Sequence, residues 1–196
     1  ATARLLRDPL PALVLFVLAF GLDAWLNPRL LTANGLMGFT SSNLPLVIAA
    51  VGQGILLVGR TIDLSIGATI SLVNVVAVAL FEAGLPTPLV MVLAVLLGTG
   101  FGFLNALLVV HARINALLAT FAMSFVAGGA ALWLRSAPGG MIPMELVMWM
   151  MGKYAGVPAA LLLILLLAVA ITLVKRTVFM LKLYAVGGDD AKAFAS

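Results

Sequence analysis

Cysteine is absent from the 196 residues, histidine occurs once, and charged side chains make up only 9% of the chain. Without thiols there are no disulfides, thiolate metal sites or cysteine nucleophiles, and His111 alone cannot build a zinc site. A soluble domain carries roughly a quarter of its residues charged, so the scarcity of charge argues against a water-facing surface. Neither a basic run nor a basic and aromatic stripe is present, which leaves no nucleic-acid partner to expect. A Gly-x-x-x-x-Gly-Lys phosphate loop is also missing, so neither nucleotide binding nor a cofactor is expected on this chain. What fills the chain is apolar: 64% hydrophobic residues and a mean hydropathy of +1.24. That composition belongs to lipid.

Six apolar blocks stand out, at residues 10–26, 43–59, 64–81, 89–110, 116–134 and 156–174. Each is roughly 17 to 22 residues, about one helical crossing with modest tilt. The expected fold is therefore an all-α polytopic transmembrane bundle, one domain over residues 1–196. For the first block a signal-peptide core behind Arg4 and Arg7 is the alternative, but Asp23 and the Asn27-Pro28 step fit a cleavage region poorly. The formal charge of +4 reads as topology. With the N-terminus cytoplasmic, the inside segments hold Arg4, Arg7, Arg60, Arg113, Lys175, Arg176, Lys182 and Lys192, and the outside segments only Arg29, Arg135 and Lys153. The bias favours that orientation. The 135–155 loop, with Pro138, Gly139, Gly140, Pro143, Trp149 and Tyr154, is expected to lie along the outer membrane surface.

Between the second and third blocks the charge is confined to a bend bearing Arg60 and Asp63. Gly59 is suited to end the first helix in a left-handed conformation, and Asp63 to cap the amides that start the second. Ala94, Gly98, Gly102 and Ala106 recur every fourth residue in the fourth block, the spacing that lets two helix backbones approach. Gln53, Asn74 and Asn105 are the polar candidates for a translocation path, each with the alternative of bonding a neighbouring helix. Asp23 lies inside an apolar block, where an unpaired charge is costly, and reads as reaching interfacial water or pairing with Arg29. After residue 174 the chain turns mixed and charged. Gly187 and Gly188 are expected to break it, with Asp189 or Asp190 capping a short helix beyond.

The run Arg60-Thr-Ile-Asp63-Leu-Ser-Ile-Gly67 resembles the signature hairpin of permease subunits in ribose-type, binding-protein-dependent ABC importers, where a glycine pair stands in place of Arg60-Thr61. Gly98 to Asn105 and Arg113 to Thr120 resemble that family's glycine-rich helix, basic turn and Ala-Thr pair. Tyr184-Ala-Val-Gly-Gly-Asp-Asp-Ala-Lys-Ala193 resembles its cytoplasmic coupling segment, with Met180 and Leu181 where the family tends to have Gly-Arg. Family members continue into further transmembrane helices beyond the point matching Ser196, so the chain is expected to represent the N-terminal part of that fold, truncated after the coupling segment.

The resemblance implies an inner-membrane permease that carries a monosaccharide. Its implied partners are ABC ATPase subunits inside, a periplasmic sugar-binding protein outside, a second permease subunit (homo- or heterodimer) and membrane lipid. It implies that ATP acts on the ATPase partner, and that residues 175–196, through Tyr184, Gly187, Gly188, Asp189, Asp190 and Ala193, form the ATPase-coupling segment. A branched-chain amino acid or nucleoside permease is the nearest rival. An intramembrane enzyme lacks a nucleophile with a base or a pair of acids at membrane depth. A channel or secondary transporter is the remaining rival, and an ion-coupled one would need intramembrane ionisable groups.

Overall fold

Thr32 begins the longest helix of the molecule: its side chain accepts the Gly35 amide at 3.1 Å, and 26 helical residues follow. The computed structural model describes residues 10–154 and 156–188. In chain order these form α1 (Leu10–Leu26), a 3-10 turn (Pro28–Leu31), α2 (Ala33–Val58), α3 (Ile66–Glu82), α4 (Thr87–Val110), α5 (Ala116–Leu134) and α6 (Met144–Met150). A two-residue antiparallel hairpin, β1 (Lys153–Tyr154) with β2 (Val157–Pro158), leads to α7 (Ala159–Val174) and α8 (Val178–Gly188). The all-α bundle expected from composition is what forms.

Its helices are less uniform than six equal crossings. Three are long and apolar enough to span a membrane alone, α2, α4 and α5, and a fourth span results if α7 and α8, bent by 75° to one another, count as one. The apolar helices α1 and α3 have 17 residues each. At 1.5 Å per residue such a helix is about 26 Å long, short of a hydrocarbon core of about 30 Å. Their bounds fall within two residues of the apolar blocks, so the difference from six equal crossings lies in the length that a span needs rather than in where these helices stop. The opposite correction applies to α2, which starts ten residues before the apolar block. Its polar first turns remain helical because Thr40 donates to the Leu36 carbonyl at 2.6 Å and Asn43 to the Phe39 carbonyl at 2.8 Å, which satisfies side chains that would otherwise compete with the helix.

Helices α3, α4 and α5 pack together, with Leu72, Ala127 and Ala131 buried between them and Leu97 and Phe101 packed alongside. Small residues set the spacing: alanines on α5 admit α3, and a Cβ on Gly98 of α4 would reach ordinary contact, 3.8 Å, with Val73 of α3. Helix α2 packs on α7 and also touches α8. Asp23 is exposed and makes no ion pair with Arg29 among the described residues; the two residues border one cavity of about 330 Å³.

The bend between α2 and α3 forms, with its roles redistributed. Gly59 has φ −81°, and Arg60 holds the left-handed conformation at φ 57°. The Thr61 amide donates to the Leu56 carbonyl at 3.1 Å and the Arg60 amide to the Leu57 carbonyl at 3.0 Å, the paired bonds of a Schellman helix end. The left-handed residue thus falls where the resemblance places glycine. A side chain there costs roughly 1 kcal/mol, so Arg60→Gly is expected to raise the melting temperature in detergent by a few degrees. An unchanged or lower value would refute strain at this position.

Candidate functional site

Leu64 and Ser65 follow the bend in a short non-helical link, and their amides need partners from elsewhere. The Ser65 amide donates to Asp63 Oδ1 at 2.7 Å, and the Ser65 hydroxyl donates to the same oxygen at 2.6 Å. Asp63 is therefore no cap of the first-turn amides of α3. It forms a side-chain turn around Ser65, the residue that does stand at the helix start. Because the single hydroxyl proton of Ser65 goes to Asp63, the hydroxyl oxygen is left to accept, and Asn105 Nδ2 of α4 donates to it at 2.8 Å. Asn105 Nδ2 also lies 3.5 Å from Asp63 Oδ2. The arrangement fixes the orientation of the amide, since the reverse would set Asn105 Oδ1 against the carboxylate.

Helix α5 closes the cluster. The Leu64 amide donates to Thr120 Oγ1 at 3.1 Å, while the Thr120 hydroxyl donates back to the Ala116 carbonyl at 2.8 Å. Ser65, Asn105 and Thr120 are all buried. Four polar side chains from the bend, α4 and α5 thus clamp one end of the three-helix unit. A cavity of about 350 Å³ adjoins them, lined also by Gly102 and Ala106. Asn105 Oδ1 is buried with no hydrogen-bond partner among the described residues.

Helix α8 reaches the same end. A Cβ built on Gly187 would stand 1.9 Å from the Val58 carbonyl oxygen, and one on Gly59 would stand 2.9 Å from Leu183 Cδ1. Gly187 is therefore no chain break: it lies within α8, and its bare backbone seats that helix on the last turn of α2. The Val58 carbonyl, one residue past the paired bonds at Leu56 and Leu57, has no backbone partner among the described residues, which favours a close Cα–H approach. Met180 is 4% exposed and anchors α8 from within. Tyr184 is exposed. Gly188 ends the described helix, and Asp189, Asp190 and Ala193 lie outside the described residues.

The other path candidates are dispersed. Asn74 is exposed midway along α3, between two cavities, and Gln53 is partly buried in α2 with Oε1 lacking a partner among the described residues. Sequence reasoning assigned no role to Ser65, Thr120, Val58 or Leu183. The Ala119-Thr120 pair was the one visible signal, and its partner lies 56 residues away.

A family model described as branched-chain amino acid transport system / permease component matches residues 35–196. The chain belongs to that family. This permease chain is a multi-pass inner-membrane protein of apolar helices. It is 37% identical over 131 residues to the autoinducer 2 import system permease protein LsrD of Salmonella paratyphi B and of Salmonella typhi, a match covering 66% of this chain and 39% of those relatives. The protein of the same name from Escherichia coli O9:H4 is 35% identical over 127 residues, 65% of this chain and 38% of that relative. The match thus spans about two fifths of the length of these curated relatives. No solved structure matches the chain significantly.

Proposed function

We propose that this chain is a transport subunit, the permease of a binding-protein-dependent ABC importer that carries a monosaccharide across the inner membrane. The observation that carries the proposal is the seat of α8, which bears the start of the coupling-like run from Tyr184 to Gly188, on the last turn of α2 at the bend. A helix so placed passes a push from a cytoplasmic partner directly into α2 and, through the bend, into α3. In this reading ABC ATPase subunits dock there and carry the ATP, and this chain binds no nucleotide. A periplasmic sugar-binding protein delivers cargo at the other end, and a second permease subunit completes the path in the lipid.

Two features support a cytoplasmic hairpin end. Arg60 and Arg113 lie there with α8, whereas Trp25 and Trp133, 78% and 86% exposed, sit near helix ends at the opposite side, where indole rings favour the headgroup level. A cytoplasmic N-terminus follows from that orientation. For cargo, the Gly187-Gly188-Asp189 run leans to sugar, and the relatives matched are named for autoinducer 2 import rather than for an amino acid.

The test is co-purification of the tagged chain from membranes with the ATPase and binding protein encoded beside it, followed by uptake of labelled D-ribose in vesicles with autoinducer 2 and L-leucine as competitors. Capture of both partners with ATP-dependent uptake blocked by excess sugar is expected. Capture with competition by leucine alone would reassign the cargo, and uptake that needs no ATPase would overturn the importer reading.

A further inference from the structure

Along α3 and α5, from Ala68 to the loop at Gly139, lies a cavity of about 570 Å³ that opens at the end of the bundle opposite the bend. That volume falls in the range of small-molecule sites, about 300–1,000 Å³. Three features distinguish it from a packing defect. The first is Asn74, eight residues into the 17 of α3, whose side chain makes no hydrogen bond among the described residues. Eight residues are about 12 Å of helix, so the amide lies near mid-depth, where an unsatisfied polar group in lipid costs several kcal/mol. Space opens on both its sides, into this cavity and into a neighbour of about 530 Å³. One turn earlier Ser71 also lines the cavity, and its proton is spent on the Gly67 carbonyl at 3.1 Å, which leaves its oxygen free to accept.

The second feature is charge balance. Arg135 lines the mouth and pairs with Glu82, so the lining presents guanidinium donors without net charge. The third is a built rim. Gly139 and Gly140 take φ values of 146° and 113°, and a Cβ on Gly140 would lie 2.2 Å from Val78 Cγ1 and 3.0 Å from Glu82 Oε1. Only glycine lets that loop press onto the end of α3 and hold Ser136 and Pro138 over the opening.

We propose that the cavity between α3 and α5 is a binding subsite for a neutral polyol, with Ser71 and Asn74 as its inner contacts and Arg135 and Ser136 at its mouth. An amide that both donates and accepts, hydroxyls, and a charge-compensated guanidinium match hydroxyl groups, and the apolar walls match the carbon face of a sugar. A charged cargo would leave one ion uncompensated in this lining. The proposal rests on the importer reading and adds to it a fixed recognition point inside the membrane.

The absence of cysteine makes the test clean. Val75→Cys and Gly128→Cys chains, which line the cavity without supplying its polar contacts, inserted in inner-membrane vesicles, would be treated with a hydrophilic methanethiosulfonate reagent, with Val95→Cys as the lipid-facing control (Val95 is 68% exposed on α4). The expected result is labelling at both cavity positions but not at the control, slowed severalfold by excess D-ribose or D-glucose and not by L-leucine. No labelling would mean that protein covers the cavity, and labelling unaffected by sugar would mean water without a polyol site; either overturns the proposal, as does protection by leucine alone. ATPase capture, measured on the same vesicles, reports on the importer reading separately, so failure of one is distinguishable from failure of the other.

Discussion

Gly187→Leu is expected to abolish capture of the ATPase subunit that the proposed importer reading calls for, while leaving membrane insertion intact. The reason is steric: the first added carbon would meet the Val58 carbonyl oxygen at 1.9 Å. That oxygen is backbone at a helix end, held by the paired bonds at Leu56 and Leu57, so α8 must lift away rather than the carbonyl yield. Gly187→Ala is expected to lose most capture for the same reason. Leu181→Ala, at an exposed position of the same helix, is expected to change nothing. A milder clash tests the contact from the other side. Gly59→Ala places its methyl 2.9 Å from the movable end of Leu183, so its partial defect should be rescued by Leu183→Ala in the double variant. Full ATPase capture by Gly187→Leu would remove the joint from the mechanism, and no rescue in the double variant would show that the two residues act separately.

The second large effect concerns the polar cluster at the bend. Asn105→Leu takes a donor from buried Ser65 and leaves the half-buried Asp63 facing an apolar side chain. Such a loss costs about 1–3 kcal/mol. At about 2–4 °C per kcal/mol for a chain of this size, the melting temperature in detergent should drop by several degrees. Asn105→Asp should be worse at neutral pH, because it sets a second carboxylate beside the first. Thr120→Val, matched in shape, removes the acceptor of the Leu64 amide and should cost about 1–2 kcal/mol. Because the residues share one network, the Asn105 and Ser65 alanine substitutions should be non-additive. Additive losses, or an Asn105→Leu chain that melts like the parent, would mean that the cluster does not hold the bend.

Both effects depend on pairings that differ in how readily a sequence discloses them. The membrane class and the bend at Arg60 to Asp63 were legible because they are local: a hydropathy run and a charge between two runs. The four-residue stripe on α4 was visible as well, but only its Gly98 meets α3, while Gly102 and Ala106 border a cavity instead of a close helix contact. The bend also shows the limit of local reading. Gly59 looked like the left-handed residue because glycine adopts that conformation without strain, yet the helix ended one residue later and put Arg60 there. Likewise Gly187 looked like a break, because glycine weakens isolated helices, whereas a neighbouring helix end makes its bare backbone a contact surface. Asn105 was visible as a polar residue in lipid, but whether it faced a path or a partner was not.

The sequence by itself determined that this protein lives in a bilayer, that its backbone is helical and which segments turn, since transfer of apolar side chains and the need to satisfy backbone amides act residue by residue. Tertiary structure alone decided which polar groups meet. The bonds from Asp63 and Ser65 to Asn105 and from Leu64 to Thr120 join residues 40 to 56 apart, and the seat of Gly187 on Val58 joins two helices from opposite ends of the chain. Short-range preferences carry no information at that separation. Helix lengths and close approach at small residues set those distances, and both emerge only when the helices pack.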